Sequence, residues 1–598
     1  MKLNKEMTNL EIAELMRSVA AAYELEGGDT NRFRIIAYER AADAVEHASS
    51  ELKDLWDEGK LDEIPGIGKN IAEHLGELFS KGKVKHFDDL MSKLPQNIFE
   101  LIKVPGIGPK TALKLVVGLG LSKSTHIVKD ILKACKNGQV ASLEGFGEQS
   151  QDEIAKSLSE LKDTPKRHLL PYANNIADDV IGWMKNLPAA KSIDTLGSLR
   201  RQASTVGDID IAVASDNPKA VLEHFSKYPK AKRVLEKGER TASILLPGEI
   251  QIDIMVQPIK SYGSLLQHFT GSKHHNIALR EYAIKKGLSL SEYGIKEVKS
   301  KNSKVKSFTD EKSFYRELGL DWIPPELRED GGEIESALNH SLPSLVELSD
   351  IKSDLQIHSS FDIETSHDLG LSSMEEIVDK ANKLNYEYIA LTEHNPSRSG
   401  HKEKDFIDLL KRKKEQVDKI NYSIVKSKKY RVNHVFNSLE IDIMMDGGCP
   451  IPEESFKYLD FVLVAIHSGF KLGRNQMTKR IIDSFNWNPK VKIFAHPTAR
   501  KLGEREGVEV DWSRIFDLCK TKNKWLEINA DPMRLDLPDF LVHEAIKNCV
   551  MLTLGTDSHH KDMMDNMVYG VSVARRGWAE ATNIVNTRSL EEFTKMLE

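Results

Sequence analysis

The feature that most constrains this chain is an alternating run at residues 208–213, in which two aspartates are separated by one apolar residue. In a β-strand, Asp208 and Asp210 would point to one face while Ile209 and Ile211 point to the other. Two carboxylates on one strand face repel each other, and a fold tolerates the pair when a cation lies between them. The run therefore predicts a strand that carries a cation site.

A second run, residues 249–256, repeats the alternation and turns Asp253 to its polar face. On a neighbouring strand this third carboxylate completes a cluster that suits two Mg²⁺ ions about 3.5–4 Å apart. The alternative is a set of solvated acids at strand ends, which explains an isolated pair of aspartates about equally well. The metal site is favoured because Gly197 and Ser198 precede the first strand in a turn whose amides and hydroxyl can hold a triphosphate.

Together these motifs resemble the nucleotidyltransferase signature of family X DNA polymerases, the DNA polymerase beta-like family. The resemblance continues at residues 268–276, which are similar to the family's nucleotide-binding segment. It implies a palm with a thumb that adds dNTPs to the 3′ end of gapped or primer-template DNA, using two Mg²⁺ or Mn²⁺ ions. Asp208, Asp210 and Asp253 would be catalytic residues and metal ligands, with Asp253 accepting the proton of the primer 3′-hydroxyl. The implied nucleotide-binding positions are Gly197, Ser198, Arg201, Gly207, Phe269 and Gly271.

Length and composition bound the remaining possibilities. The 598 residues suggest about four domains at roughly 150 residues each. Charged residues make up 29% of the chain but its net charge is only −6, so DNA contacts must come from local basic patches or backbone amides. The four scattered cysteines predict neither a zinc site nor disulfides, and no apolar run reaches about 18 residues. We expect a cytoplasmic protein with no membrane contact and no obligate protein partner.

Residues 1–160 have helical periodicity and contain an internal repeat, a glycine hairpin that leads into a helix. Copies at 64–69 and 104–110 are nearly identical, and a weaker copy lies at 143–148. A single Gly-x-Gly turn is usually a helix connector, but repeated copies with following lysines favour phosphate binding by free helix amides. The repeat resembles the helix-hairpin-helix element, which clamps the DNA backbone without reading its sequence. The implied DNA-binding positions are Gly66, Gly68, Lys69, Gly106, Gly108 and Lys110.

The first hairpin lies where the family carries its N-terminal lyase domain, in which several members form a Schiff base through a lysine. His74 occupies the aligned position in this chain. Because imidazole cannot form that imine adduct, we expect this region to bind a 5′-phosphate without deoxyribose-phosphate lyase activity.

The composition changes after about residue 350, where histidine and aspartate follow short apolar runs. Seven such runs alternate with helical segments, a pattern that favours a barrel of parallel strands. Polar residues at the carboxyl ends of the strands would lie on the catalytic face of that barrel. One buried histidine at a strand end is usually structural, whereas five of them beside carboxylates indicate metal ions. Imidazole and carboxylate without thiolate suit Mn²⁺, Zn²⁺ or Fe²⁺.

This region resembles the polymerase-and-histidinol-phosphatase (PHP) domain, which follows the polymerase in bacterial and archaeal family X members and can act as a 3′→5′ exonuclease. The resemblance implies a distorted (β/α)7 barrel that holds two or three ions. The implied ligands are His358, Glu440 and Asp557 for one ion, Glu440, His467 and His496 for a second, and Asp362, His394 and His559 for a third.

Two positions depart from the PHP pattern. Gln356 replaces the first imidazole of the opening His-x-His, and Ile363 stands where an acid is expected, with Asp362 one position early. We expect one ion to bind more weakly and the nuclease to depend on Mn²⁺. The prediction is a gap-filling repair polymerase with a 3′→5′ exonuclease. The alternatives are a PHP domain that is weak or purely structural, and a DNA-end binding platform without turnover, which the aspartate triad disfavours.

The expected architecture is multidomain, combining α+β and α/β regions. From the N-terminus it comprises a helical domain with the first hairpin (1–85), a fingers-like helical domain with the second (86–160), the palm (161–258), the thumb (259–325), a linker (326–350) and the PHP domain (351–598).

Overall fold

The computed structural model describes residues 7, 9–27, 30–46, 52, 56, 61, 67–102, 104, 107–160, 167–246, 250–298, 304–365, 367–427, 430–502 and 505–598. The chain divides into two compact units, Met1–Lys166 and Arg167–Glu598. Within these described ranges, no helix combines the length and the apolar character needed to cross a membrane.

The N-terminal unit is helical throughout its described part. Its helices are α1 (Asn9–Gly27), α2 (Arg32–Glu46), α3 (Lys69–Lys81), α4 (Lys85–Met91), α5 (Ile98–Leu101), α6 (Pro109–Gly118), α7 (Ile127–Lys136) and α8 (Glu148–Glu160). Tyr38 and Leu75 belong to one hydrophobic core, built mainly from α1–α4, and Leu115 and Ile131 to another, built mainly from α5–α8. The described helices of this unit therefore pack around two hydrophobic cores in succession.

Local chemistry fixes the ends of the helices that follow the hairpins. Pro109 opens α6 directly after Gly108, and its restricted φ suits the first turn of a helix. Gly82 ends α3 with φ 68°, and its N–H donates to the carbonyl of Leu78. Glycine adopts this left-handed geometry without steric cost.

A five-stranded sheet with the order β2-β4-β7-β6-β5 opens the second unit. Its strands β4 and β7 are parallel, and the other neighbouring pairs are antiparallel. Alternating apolar residues such as Ile211 and Ile252 bury one face of this sheet against helices. The elements of this region are β1 (His168–Leu169), α9 (Leu170–Met184), β2 (Ser192–Thr195), α10 (Gly197–Arg200), β3 (Thr205–Val206), β4 (Ile209–Ala214), α11 (Pro218–Phe225), β5 (Arg233–Lys237), β6 (Thr241–Leu245) and β7 (Gln251–Gln257).

The next region has its own hydrophobic core, which contains Phe314 and Tyr315. Its elements are α12 (Tyr262–Thr270), α13 (Lys273–Lys285), β8 (Leu288–Ser291), β9 (Gly294–Glu297), α14 (Glu311–Glu317) and α15 (Glu333–Leu338). The segment 326–350 differs from the expected linker, because it contains α15 and is packed against this core. Arg328 and Glu333 are fully buried, and Glu333 accepts hydrogen bonds from the amides of Asp330 and Gly331. Gly331 and Gly332 therefore form a bend within a folded region.

The remaining strands are parallel in every pair and form sheets of three and five strands, β10-β11-β12 and β13-β14-β15-β16-β17. One bridge between Ile357 and Ser558 joins β10 to the segment just after β17, and another between His394 and Glu440 joins the segment after β11 to β13, so both connect the two sheets. The strands are β10 (Ser353–Ile357), β11 (Tyr388–Leu391), β12 (His434–Asn437), β13 (Glu440–Asp442), β14 (Val462–Ala465), β15 (Val491–Phe494), β16 (Trp525–Asn529) and β17 (Leu552–Gly555). The seven expected runs all contain a strand, and β12 is an eighth.

Helices alternate with these parallel strands, so most strands are buried on both faces, as parallel strands usually are. These helices are α16 (Met374–Lys383), α17 (Glu403–Ser427), α18 (Arg474–Phe485), α19 (Trp512–Lys522), α20 (Asp539–Lys547), α21 (Met567–Arg576) and α22 (Leu590–Leu597). The expectation of helical domains followed by mixed α/β regions is confirmed at this level, while a closed seven-stranded barrel stays a prediction.

Candidate active sites

Three carboxylates lie together at one edge of the first sheet. The parallel register of β4 and β7 pairs Asp210 with Asp253, and Asp208 immediately precedes β4. One ligand oxygen from each of the three lies within 4.8 Å of the others. Burial, together with Asp208 and Asp253, raises the pKa of Asp210 to about 7. A divalent cation would offset this repulsion, so the donor set fits Mg²⁺ or Mn²⁺.

Two neighbours that sequence reasoning did not identify hold Asp253 in place. Ser243 lies opposite it on β6, and its hydroxyl donates to Asp253 Oδ1. Gln251 Nε2 donates to both carboxylate oxygens, at 3.1 and 2.9 Å. Burial raises the pKa of Asp253 despite these hydrogen bonds. The alternation that revealed Asp253 could have pointed to Gln251, two residues earlier on the same face.

The turn before β4, which begins with α10 and spans residues 197–208, approaches the carboxylates closely. Gly197 has φ 55°, and a Cβ built there would lie 2.7 Å from Asp210 Oδ2. Glycine is therefore required both for the left-handed backbone and for the close approach. Gly207 lacks both constraints, because its φ is not left-handed and a Cβ would meet Arg167 at an ordinary 3.5 Å.

Arg201 joins this turn to the segment 268–271. Its Nη1 donates to the carbonyl of Thr270 at 2.6 Å, and its Nε donates to Glu329 at 2.9 Å. Gly271 has φ 70°, and a Cβ there would lie 3.1 Å from Arg201 Nη1. Phe269 packs against His268 with ring centroids 4.8 Å apart. The Arg201 guanidinium therefore links the turn to Thr270 and lies close to Gly271.

A buried ion-pair network also supports the turn, and sequence reasoning did not find it. Arg200 binds Glu311 in a bidentate pair, from Nη1 to Oε1 at 3.0 Å and from Nη2 to Oε2 at 2.6 Å. Arg328 Nη1 donates to the same Oε1 at 2.6 Å. Burial alone would raise the pKa of Glu311, but Arg328 and Arg200 hold it at about 2. Glu311 therefore stays ionised and ties the turn to α14.

A second cluster gathers at the carboxyl ends of the parallel strands. The structure assembles four groups of possible ligands there, each with donor atoms within 4.8 Å of one another. They are His358, Glu440 and Asp557; Glu440, His467 and His496; His358, His394 and His559; and His367, His394 and His467.

Glu440 lies at the centre of this cluster. It is fully buried, and its oxygens lie 2.7 Å from His496 Nε2 and 3.3 Å from the Nε2 atoms of His358 and His467. Burial favours its neutral form, but the surrounding imidazoles hold its pKa well below the usual range. Within the described part of the chain, the buried Nδ1 atoms of His394 and His496 make no hydrogen bond. Imidazole and carboxylate donors with orphaned nitrogens fit divalent metal ions.

The third expected group is corrected by the structure. Asp362 is exposed, and its carboxylate accepts a hydrogen bond from the amide of Glu364 at 2.8 Å. His367, farther along the same loop, stands beside His394 instead. Asp442 orients it, lying 2.8 Å from His367 Nε2 and 2.6 Å from His467 Nδ1. His367 lies five residues beyond Asp362, where no strand or helix periodicity marks it in the sequence.

Gln356 is fully buried and faces the cluster with its amide nitrogen. Its Nε2 donates to Glu440 at 2.9 Å and lies 3.5 Å from Asp557, while its oxygen lies 3.4 Å from Asn529 Nδ2. Arg534, unnoticed in the sequence, places its Nε 3.6 Å from Asp557 Oδ2. The first group therefore contains one amide donor and one guanidinium beside its carboxylates.

The hairpin residues of the N-terminal unit lie at helix starts. Gly68 and Gly108 are the residues before α3 and α6, and Lys69 and Lys110 are exposed in the first turns. The amide groups of such a turn are free to bind an anion. Gly66 and Gly106 lie outside the described residues.

His74 sits in an aromatic cluster in place of the expected lysine. Its Nδ1 is 2.7 Å from the hydroxyl of Tyr38, and its ring stacks on His86 at 5.1 Å. Burial lowers the pKa of His74. A neutral imidazole offers no amine for an imine.

Residues 265–329 match the family model described as DNA polymerase beta thumb. Residues 7–84 match a helix-hairpin-helix domain, and residues 98–160 match a SAM-like helix-hairpin-helix tandem. The thumb match includes residues 326–329, the first part of the expected linker.

Similar proteins extend these matches, one of them over its full length. The chain is 32% identical over 594 residues to DNA polymerase/3′-5′ exonuclease PolX of Bacillus subtilis (strain 168), covering 99% of this chain and 100% of that protein. It is 24% identical to DNA polymerase lambda of Rattus norvegicus, covering 54% of this chain and 56% of that protein. It is 27% identical to Repair DNA polymerase X of African swine fever virus (strain Badajoz 1971 Vero-adapted), covering 23% of this chain and 82% of that protein. The chain therefore belongs to the family X DNA polymerases, in the group that includes PolX of Bacillus subtilis.

Proposed function

We propose that this protein is a DNA-directed DNA polymerase that fills short gaps during DNA repair, and that its C-terminal region is a 3′→5′ exonuclease. The observation that carries the proposal is the cluster of Asp208, Asp210 and Asp253 on adjacent parallel strands. Its support is the end-to-end similarity to PolX, a DNA polymerase/3′-5′ exonuclease.

In the proposed polymerase site, the three aspartates hold two Mg²⁺ or Mn²⁺ ions. Such ions, when bound, supply Lewis acidity to an in-line displacement. Asp253 accepts the proton of the primer 3′-hydroxyl, and hydrogen bonds from Ser243 and Gln251 fix the orientation of its carboxylate.

The incoming dNTP lies between the turn and the segment 268–271. The amides of Gly197 and Ser198 and the guanidinium of Arg201 bind its triphosphate, since charge-assisted hydrogen bonds to phosphate are strong. Phe269 and Gly271 pack against its sugar and base, and Gly207 belongs to the adjoining turn.

In the proposed exonuclease, the histidine cluster would hold two or three Mn²⁺, Zn²⁺ or Fe²⁺ ions, which when bound would supply Lewis acidity towards water and the phosphodiester. Asp442 fixes the rings of His367 and His467, and Arg534 is placed to meet a phosphate. The parallel pairing of the strands and the two bridges between their sheets support a distorted (β/α)7 barrel over 351–598. The ligands are His358, His367, His394, Glu440, His467, His496, Asp557 and His559.

DNA is held by the two helical domains, proposed to span 1–85 and 86–160. The amides after Gly68 and Gly108 donate to backbone phosphates, with Lys69 and Lys110 adding charge. Because these contacts are to the backbone, binding depends on the gap and not on its sequence. The palm spans 161–258, and the thumb continues through the buried segment around Arg328.

Extension of a one-nucleotide gap tests the polymerase. Wild-type protein with Mg²⁺ should add one dNTP, and Asp253→Ala should not. Asp216→Ala is the matched control, because Asp216 is an exposed acid beyond the end of β4 and outside the cluster. Full activity of Asp253→Ala would refute the proposed site.

Digestion of a 3′-labelled primer tests the exonuclease separately. The Asp208→Ala protein excludes chemistry at the polymerase site and should still shorten the primer with Mn²⁺. Adding His467→Ala should abolish this shortening. Shortening that His467→Ala leaves unchanged would make the C-terminal region a scaffold.

A further inference from the structure

Helix α21 of the C-terminal region ends directly against the nucleotide-binding turn. Arg576, its last residue, donates from Nη1 to the carbonyl of Arg201 at 2.7 Å. The same nitrogen lies 3.0 Å from Glu329 Oε1, and Nε and Nη2 bind Asp539 at 2.7 and 2.6 Å. The side chain of Arg576 is 9% exposed, so these contacts fix its position.

Glu329 is shared by two arginines. Its Oε1 accepts from Arg201 Nε at 2.9 Å and from Arg576 Nη1 at 3.0 Å. Its side chain is 36% exposed, so it remains open to solvent on one side. A carboxylate that pairs with Arg201 competes with any phosphate that the same guanidinium is to bind.

Two other residues of α21 also contact this part of the protein. Ser572 donates to the side chain of Gln202 at 3.2 Å, directly after Arg201. Arg575 binds Glu326 at 2.8 Å and the carbonyl of Val346 at 3.0 Å. One helix of the C-terminal region therefore touches both the turn and the end of the thumb.

We propose that Arg576 and Glu329 are positioning residues for polymerisation, through which the C-terminal region sets the affinity for the incoming nucleotide. Glu329 Oε1 is divided between Arg201 and Arg576, which also binds Asp539, so Glu329 neutralises Arg201 only in part and leaves its guanidinium available to the triphosphate. Without Arg576, Glu329 would neutralise Arg201 alone and oppose nucleotide binding. The inference rests on the proposed function, in which Arg201 binds the triphosphate.

Gap filling at varied dNTP concentration tests this with the full-length protein. Arg576→Ala should raise the KM for dNTP about three- to tenfold and leave kcat within about twofold, since it acts on nucleotide binding. Arg576→Lys should recover part of the KM, because it restores the charge. Arg575→Ala is the matched control: it removes a contact of the same helix to Glu326 but not the link to Glu329, and should leave KM unchanged.

The decisive comparison uses a second background. Glu329→Gln removes the competing charge, so it should lower the KM or leave it unchanged, and this variant keeps Arg576 in place. Adding Arg576→Ala to Glu329→Gln should then have no further effect on KM. An Arg576→Ala effect of equal size in both backgrounds would overturn the proposal, because the arginine would then act without Glu329.

Arg201→Ala separates failure of this inference from failure of the proposed function. If Arg201→Ala leaves the KM unchanged, the assignment of the triphosphate site is wrong. If Arg201→Ala raises the KM and Arg576→Ala does not, only the positioning role is wrong. Mn²⁺-dependent primer shortening should be the same in all these variants, which checks that the C-terminal region is folded.

Discussion

Gln356 Nε2 donates a hydrogen bond to Glu440 Oε2 over 2.9 Å, at the position where a metal-binding imidazole was expected. Its oxygen, the only atom of the side chain able to ligate a cation, lies 3.4 Å from Asn529 Nδ2. The Gln356 amide N–H group therefore stabilises the carboxylates of Glu440 and Asp557 in place of a metal ion, and it competes with a metal ion for these two carboxylates.

Replacing this amide should strengthen metal binding. Gln356→His supplies an imidazole ligand and removes the competing N–H, so we expect Mn²⁺ to bind about tenfold more tightly, measured by isothermal titration calorimetry. Gln356→Leu is the control, since it removes the amide without adding a ligand. Equal affinities for Gln356→His and the wild type would show that this position faces no metal.

His367 and Asp362 make a matched pair on one loop. His367→Ala should lower Mn²⁺-dependent primer shortening about 10–100-fold, because it removes a ligand that Asp442 orients. Asp362→Ala should change it less than twofold, because that carboxylate is exposed and bound to the Glu364 amide. The reverse order of effects would restore the original assignment of Asp362.

Gly197 and Gly207 offer a similar comparison in the polymerase. Gly197→Ala must adopt a left-handed backbone and place a Cβ against Asp210, so it should destabilise the turn by about 1–3 kcal/mol. We expect gap filling to fall at least tenfold. Gly207→Ala should retain near-normal extension. Comparable losses in the two variants would mean that the close approach at Gly197 is not needed.

The pKa of Asp210 predicts a pH-dependent stability of the metal-free protein. Its folded pKa of about 7 lies above its ordinary value of 3.8, so between these values the folded state binds more protons than the unfolded state. The contribution of Asp210 to the free energy of unfolding is therefore fully present below pH 3.8 and is lost as the pH rises to about 7.

Asp210→Asn should accordingly stabilise the metal-free protein at pH 8 by about 1–3 kcal/mol, less than the full shift implies because solvent screens a half-buried group. At pH 5 the gain should be smaller. Urea unfolding with a chelator present measures both. A gain that is the same at both pH values would rule out carboxylate repulsion as its cause.

The elements that follow simple periodicity were predictable from the sequence. The alternation at β4 and β7 located the three aspartates because side chains on a strand have a strict period of two. Short apolar runs predicted the parallel strands. The polar residues after these runs lie together because the carboxyl ends of parallel strands share one edge of a sheet.

What the sequence could not supply was the path of the loops and the partners of buried charges. His367 reaches the cluster along a loop whose length carries no periodic signal. From the sequence alone, Arg328 is expected at the surface. Its burial depends on the ion pair with Glu311, which lies 17 positions earlier in the chain. The orientation of the Gln356 amide likewise depends on Asn529, a residue on another strand.

The central place of Glu440 has a thermodynamic consequence. It belongs both to the group with His358 and Asp557 and to the group with His467 and His496, so two ions would share one carboxylate. Filling either group changes the field felt by an ion in the other, and the change must be equal in both directions. The binding equilibria of the two ions are therefore coupled. A substitution that removes a ligand of one ion also changes the apparent dissociation constant of the other.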